Sequence, residues 1–281
     1  MAIPILRNWQ QYFTHRDEGL GSSYERIVLN NKLAEICRTF RVEKVLEAPS
    51  FGFTGLSGIN SLDMAKSGIK VSLIDHDQDR LRSIKAVWQE VNADLNDVYS
   101  SDYTHLPFAD KNFDLSWNFS ALWFVPDLPV FLQELRRVTQ KVILICVPNR
   151  SGIGYLTQKY LGRKDLKALL QEEHIMPGNI KKIMSQNNWR LLDSGYIDCP
   201  PWPDIGMPKE KFLKIFGLSW LLPAKKEHEP LSVMDYYNGT DPDFPPKMMK
   251  HFWWEKTAPA FLKKFWAHHR FLLFIPQTDE K

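Results

Sequence analysis

Two short apolar strands, each ending in a carboxylate and separated by glycines, constrain this chain most. Val45 and Leu46 run into Glu47, and a loop carrying Gly52, Gly55 and Gly58 follows. A short helical stretch then leads to a second apolar run, Val71 to Ile74, which ends in Asp75. Strand, glycine loop, helix, strand and acid, in that order, are the mononucleotide-binding half of a doubly wound α/β sheet. Glycine has no Cβ, so the backbone there can turn sharply and lie against a ligand. A carboxylate at the tip of the second strand can accept both hydroxyl protons of a ribose. The pattern predicts an adenosine-like ligand and leaves open which one.

The flanking sequence continues this rhythm. From Ser22 the periodicity is helical, with Tyr24, Ile27, Val28, Leu33, Ile36 and Cys37 on one face. Residues 77–91 predict an amphipathic helix with Leu81, Ile84, Val87, Trp88 and Val91 on its buried side. Strands are expected near Asp97 to Ser100 and from Phe113 to Trp117. Asp127 is placed to cap a helix that buries Leu128, Phe131, Leu132, Leu135 and Val138. Val142 to Val147 is a continuous apolar run, as in the middle of a parallel sheet. Beyond Pro148 the alternation loosens. Helices are expected at 163–173 and 178–188, a strand from Arg190 to Ile197, helices near 208–222 and 246–266, and a closing strand from Arg270 to Ile275.

Composition narrows the class. With 281 residues, 44% of them hydrophobic, the chain can bury a full core. A net charge of +3 is too small to imply nucleic acid by itself. Cys37, Cys146 and Cys199 are odd in number and far apart, which fits neither a disulfide framework nor a zinc pattern. The first ten residues lack a signal-peptide layout, and the longest apolar run, within Phe212 to Leu222, is too short to span a bilayer. A cytoplasmic protein is the expectation.

Four pieces resemble the class I S-adenosylmethionine-dependent methyltransferases over residues 22–150. They are Leu46-Glu47 with its glycine-bearing loop, and Leu73-Ile74-Asp75. The third is Ser101-Asp102 followed by Leu106-Pro107-Phe108 and Phe113-Asp114, and the fourth is the Phe131 to Val138 segment of the helix before the fifth strand. The resemblance implies a doubly wound, mostly parallel seven-stranded α/β sheet of order 3-2-1-4-5-7-6, with strand 7 antiparallel. It implies a Rossmann-like core over 43–203, an N-terminal helical segment over the cofactor site (1–42), an aromatic-rich helical insertion (204–267) and a final strand with tail (268–281). The cofactor implied is S-adenosyl-L-methionine. Glu47, Ala48, Pro49, Gly52 and Gly55 would lie against its methionine part, Asp75 would take the ribose, and His76 would flank the adenine. Asp102, with the Tyr103 backbone, would take the adenine amino group, and Asn118 after strand 4 would face the methyl. This chain departs from the family's E/D-x-G-x-G-x-G: its positions read Glu47, Pro49, Phe51 and Phe53, with glycines displaced to 52 and 55.

Each of these residues also has an ordinary reading. Aspartate often follows a strand, so Asp75 and Asp102 can be loop acids. Glu47 can contact a ligand or only hold its loop. Trp117, Trp123 and Phe124 can be packing residues or substrate walls. Tyr24-Glu25-Arg26 reads as part of a surface helix, Glu134 with Arg136-Arg137 as a structural ion pair, and His268 and His269 as structural. No histidine pair shows metal-ligand spacing with a carboxylate, so no metal is expected. Lysines interleave with aromatics at 208–222 and 247–270. This pattern suits a membrane-surface helix or, as favoured, a cap with aromatics on the core and lysines in water.

The expectation is methyl transfer to a small apolar or aromatic acceptor, lipid-like compounds included, with no catalytic base named by the sequence. Asn118 is not followed by the Pro-Pro-aromatic run of nucleic-acid amine methylases, which argues against a DNA substrate. A nicotinamide-dependent oxidoreductase shares the first βαβ unit but wants a regular G-x-G-x-x-G. A non-catalytic descendant with the same fold is the remaining alternative, and the irregular glycine loop is its best support.

Overall fold

The computed structural model describes residues 9–52, 55–161, 171–202 and 231–277. Seven strands form one sheet: β1 (Lys44–Glu47), β2 (Lys70–Asp75), β3 (Asn96–Tyr99), β4 (Phe113–Phe119), β5 (Thr139–Pro148), β6 (Trp189–Ile197) and β7 (His269–Pro276). Their order is β3-β2-β1-β4-β5-β7-β6. The first five pair in parallel, and β7 runs antiparallel between β5 and β6. The order and the reversed strand are those that the family resemblance implies. Because β7 is reversed, its first residue, His269, pairs with Pro148 and Ile197, the last residues of β5 and β6. The start of β7 therefore lies at the carboxyl edge of the sheet, beside the tips of β4, β5 and β6.

Alternation along the strands divides the core into two layers. Val45, Val71, Leu73, Leu115, Trp117, Val142 and Leu144 face one side, with Leu46, Ile74, Ile143, Ile145 and Val147 on the other. The first layer is covered by α2 (Gly19–Phe40), α3 (Leu62–Lys66) and α4 (Gln78–Glu90). The second is covered by α5 (Leu128–Val138), with α6 (Ile153–Leu161) and α7 (Pro177–Ser185) beside it. A short α1 (Gln10–His15) precedes α2. Caps fix where the central helices begin: Asp77 accepts from Asp79 N and Arg80 N, and Asp127 from Val130 N at 3.0 Å. Glu134 accepts from Leu106 N and from Arg137, so this acid ties α5 to the loop before β4, as the structural reading expects.

The segment between β6 and β7 departs from expectation in form. The anticipated helix at 246–266 is three short ones, α9 (Phe244–Met249), α10 (Phe252–Thr257) and α11 (Ala260–Trp266), preceded by α8 (Val233–Tyr237). Pro259 holds Ala258 extended, which stops α10 before α11 can begin. Phe244 and Met248 of α9 are buried and join the α2 layer. Trp253, Phe261 and Phe265 are exposed by 57%, 65% and 51%, so the aromatic face of this region is not all turned to the core. A segment broken into single turns has no continuous face to bury. The expected 208–222 helix and most of the 163–173 helix lie outside the described residues; Glu172–Ile175 is a single 3-10 turn. No helix among the described residues is long and apolar enough to cross a membrane.

The N-terminal segment also differs. Tyr24, Glu25 and Arg26 are 0–1% exposed, not on a surface helix. Residues from β7, the glycine loop and α10 all converge on this turn of α2. Arg26 pairs with Glu18 through two hydrogen bonds and donates to Leu56 O at 3.0 Å. Glu18 in turn accepts from Leu56 N at 2.7 Å. The helix thus holds the loop after β1 through a buried ion pair.

Candidate ligand site at the carboxyl edge of the sheet

The loop after β1 crosses the sheet edge toward β4. Ala48 N donates to Trp117 O at 3.0 Å, and Ser50 N donates to Ile74 O at 2.9 Å, so Ala48–Ser50 bridges the tips of β4 and β2. The Ala48-Pro49 bond is cis. Gly52 has φ +122°, and a Cβ built there would lie 2.3 Å from Phe119 O and 2.9 Å from the Ser120 carbonyl. Only glycine combines that backbone angle with so close an approach. Gly52→Ala is expected to cost about 2–3 kcal/mol, read as a lowered midpoint in denaturant unfolding.

Glu47 is 1% exposed, and its carboxylate accepts from Ser61 Oγ at 2.6 Å. Burial pushes the Glu47 carboxyl up to about 8, against the lowering effects of the Ser61 hydrogen bond and the Arg26 charge. Ser61 Oγ also accepts from Trp117 Nε1 at 3.2 Å, which locks the indole under the loop. Trp117 and Trp123 are 0% exposed and belong to the two core layers.

Asp75 sits at the tip of β2, where the sequence places it, but its carboxylate is already engaged. One oxygen accepts from Arg80 Nε at 2.7 Å and from Ser50 Oγ at 3.0 Å. The other accepts from Asp77 N at 3.0 Å and from Arg80 Nη2. The residue is 0% exposed. Arg80 lies in turn against two rings, 5.3 Å from the Phe51 centroid and 5.7 Å from that of Trp9. Phe51 itself packs on His76, Phe124 and Tyr103, with centroids 4.6, 5.3 and 6.4 Å apart. Ribose hydroxyls therefore reach Asp75 only if Arg80 or Ser50 withdraws.

On the adenine side, His76 and Tyr103 meet, with His76 Nδ1 3.1 Å from Tyr103 Oη. Burial lowers the His76 pKa and raises that of the Tyr103 phenol. Asp102 turns outward: it is exposed and accepts from Thr104 N at 2.8 Å and Thr104 Oγ1 at 2.5 Å, which hold its pKa low. It thus serves as a turn cap here, as its ordinary reading has it. Gly55 has φ +134° and lies in the same loop.

Asn118 is the polar group left over. It lies near the tip of β4, 0% exposed, and neither its amide oxygen nor its amide nitrogen has a hydrogen-bond partner. Ser120 Oγ, two residues on, is buried and unpaired as well. A buried unsatisfied amide costs on the order of 1–3 kcal/mol, a cost that a polar group reaching the tip of β4 would offset.

The sequence names Glu47, Asp75, Tyr103 and Asn118 as candidates, and the structure adds Arg80 and Phe51 beside them. Arg80 stands five residues after Asp75, in the first turn of α4, and that short spacing was the available signal. The wedge made by Phe51 was visible only as a departure from the glycine pattern.

A family model described as a methyltransferase domain matches residues 53–145, a third of the chain. A search of the curated proteins finds no match. Solved structures match over most of their length at low identity. A protein from Galdieria sulphuraria assigned as a sarcosine dimethylglycine methyltransferase is 14% identical, with 88% of this chain and 84% of that one covered and a TM-score of 0.51. The magnesium protoporphyrin IX methyltransferase of Synechocystis PCC 6803, solved with bound S-adenosylhomocysteine, is 10% identical, with 90% and 83% covered and a TM-score of 0.51. The cyclase SpnF is 13% identical, with 89% and 81% covered and a TM-score of 0.51. Likeness at this level reports the fold, and the presence of a cyclase among the neighbours separates fold from chemistry.

Proposed function

We propose that this chain, which has the fold of the class I S-adenosylmethionine-dependent methyltransferases and carries a methyltransferase domain, binds S-adenosylmethionine at the tips of β1, β2 and β4 and methylates a small apolar or aromatic acceptor. The observation that supports the reading is Asn118, whose two buried amide atoms are unpaired near the tip of β4, where the methyl-bearing end of the cofactor would lie. When bound, the cofactor supplies a methyl group already activated on a sulfonium. The chain then has mainly to orient the acceptor and exclude water. Glu47, Gly52 and Asn118 would hold the methionine end, and His76 with Tyr103 the adenine. Asp75 would take the ribose after Arg80 withdraws. Phe51 and Phe124 pack together on this side, an aromatic pair that would suit an apolar acceptor.

A second reading is a binding protein without transferase activity. The saturated Asp75 carboxylate and the outward Asp102 favour it. Isothermal titration with S-adenosylmethionine and S-adenosylhomocysteine separates the two. Methyl transfer predicts micromolar binding that Asn118→Ala weakens at least tenfold, in a variant whose circular dichroism matches the parent. Absence of heat with either ligand at millimolar concentration would leave the binding-protein reading.

A further inference from the structure

Three side chains remote in sequence meet at the carboxyl edge of the sheet, on the α2 side of β4. Glu25 comes from the middle of α2, Asp198 follows the last residue of β6 with φ +62°, and His269 opens β7. Each is 1% exposed. One donor atom from each lies within 4.8 Å of the other two. His269 Nδ1 is 2.8 Å from Glu25 Oε1 and 3.9 Å from Asp198 Oδ2.

We infer that Glu25, Asp198 and His269 form a site for a divalent first-row metal cation. Beside the 2.8 Å pair of His269 Nδ1 and Glu25 Oε1, the atoms Glu25 Oε2, His269 Nε2 and Asp198 Oδ1 are buried without a hydrogen-bond partner. Two donors each about 2.1 Å from one cation, at right angles, stand about 3 Å apart, the spacing of this pair. Two carboxylates removed from water, with the His268 and His269 imidazoles beside them, carry a desolvation cost of several kcal/mol each that a bound divalent cation would offset. One nitrogen and two carboxylate donors suit manganese, iron or zinc and do not suit a soft monovalent ion.

The surroundings hold the donors in place. His268 Nδ1 lies 2.5 Å from Asp198 Oδ2. Glu255 accepts from Asp198 N at 3.1 Å, and the Phe119 ring packs 4.4 Å from that of His269. Outer partners of this kind orient metal ligands. Three protein donors leave coordination positions open, and the Phe119 ring packs between the cluster and the tip of β4. The site does not depend on the methyl-transfer reading.

The full chain, stripped with chelator and dialysed, is titrated with Zn²⁺, Mn²⁺ and Mg²⁺, and its metal content is measured after gel filtration. The expected result is one equivalent of Zn²⁺ or Mn²⁺ retained, little Mg²⁺, and a rise in Tm on the order of 5 °C at a hundredfold excess over Kd. Co²⁺ substitution should give visible d–d bands. Glu25→Gln and His269→Asn should each lose the bound metal, while Glu90→Gln on α4 keeps it. If a variant fails to fold, the Co²⁺ spectrum of the parent chain still decides. Less than a tenth of an equivalent bound, with no Tm shift and no Co²⁺ bands, would overturn the site and leave a buried hydrogen-bonding cluster.

Discussion

Arg80→Met is expected to destabilise the protein by about 3–5 kcal/mol, because it leaves the Asp75 carboxylate buried without its counter-charge. Asp75 would keep only the Ser50 hydroxyl and the Asp77 N–H. The packing of the guanidinium against Phe51 and Trp9 would go with it. For a chain of this length the loss corresponds to a fall in Tm on the order of 10 °C, measurable by calorimetry. The double variant Asp75→Asn/Arg80→Met should recover most of it, since neither residue then buries a charge. An Arg80→Met protein within about 1 kcal/mol of the parent would show that the pair does not hold the loop. The same variant bears on function. Arg80 occupies the lone pairs a ribose needs, so the folded fraction of Arg80→Met should bind S-adenosylhomocysteine more tightly than the parent.

Glu47→Gln should reshape the pH dependence of stability. Burial holds the Glu47 carboxyl at about 8 in the folded chain, against an ordinary value of 4.5. Between those values the folded protein keeps a proton that the unfolded chain has released. Stability from this group is therefore complete below about pH 4.5 and falls as pH rises through the window, by up to about 1.4 kcal/mol per unit. The total is on the order of 3–5 kcal/mol by pH 8. Glutamine mimics the neutral acid, so the variant should lack this slope and exceed the parent in stability above pH 8. Urea midpoints at pH 5.5, 7 and 8.5 test it, because the other titrating groups cancel between the two proteins. Parallel curves would mean that Glu47 is not the titrating group. A ligand ammonium brought to this carboxyl would draw its proton away, so binding heats near pH 7 should depend on the buffer.

Local patterns on the chain were enough for the scaffold. Val45-Leu46-Glu47, Val71 to Asp75 and Val142 to Val147 are strands because their apolar runs are short and bounded. Asp77 and Asp127 start helices because their carboxylates satisfy first-turn N–H groups. The reversed last strand came from resemblance, not from any residue of β7. The helix expected at 246–266 failed at Pro259, a breaker whose effect on its predecessor outweighed the apolar spacing.

Side-chain partnership was decided by the tertiary structure. Asp75 was legible as an acid at a strand tip, yet only the fold shows Arg80 and Ser50 filling its lone pairs. Glu25 looked like a surface-helix residue until the reversed β7 carried His269 against it, across 244 positions of sequence. Asn118 was legible by position, but its unpaired amide is a fact about every neighbour that does not reach it. By itself the sequence determined where the strands and the central helices lie, because those depend on spacing within one segment. Only the tertiary structure decided which buried charges meet, because a charge in a low-dielectric interior is governed by its nearest partners in space.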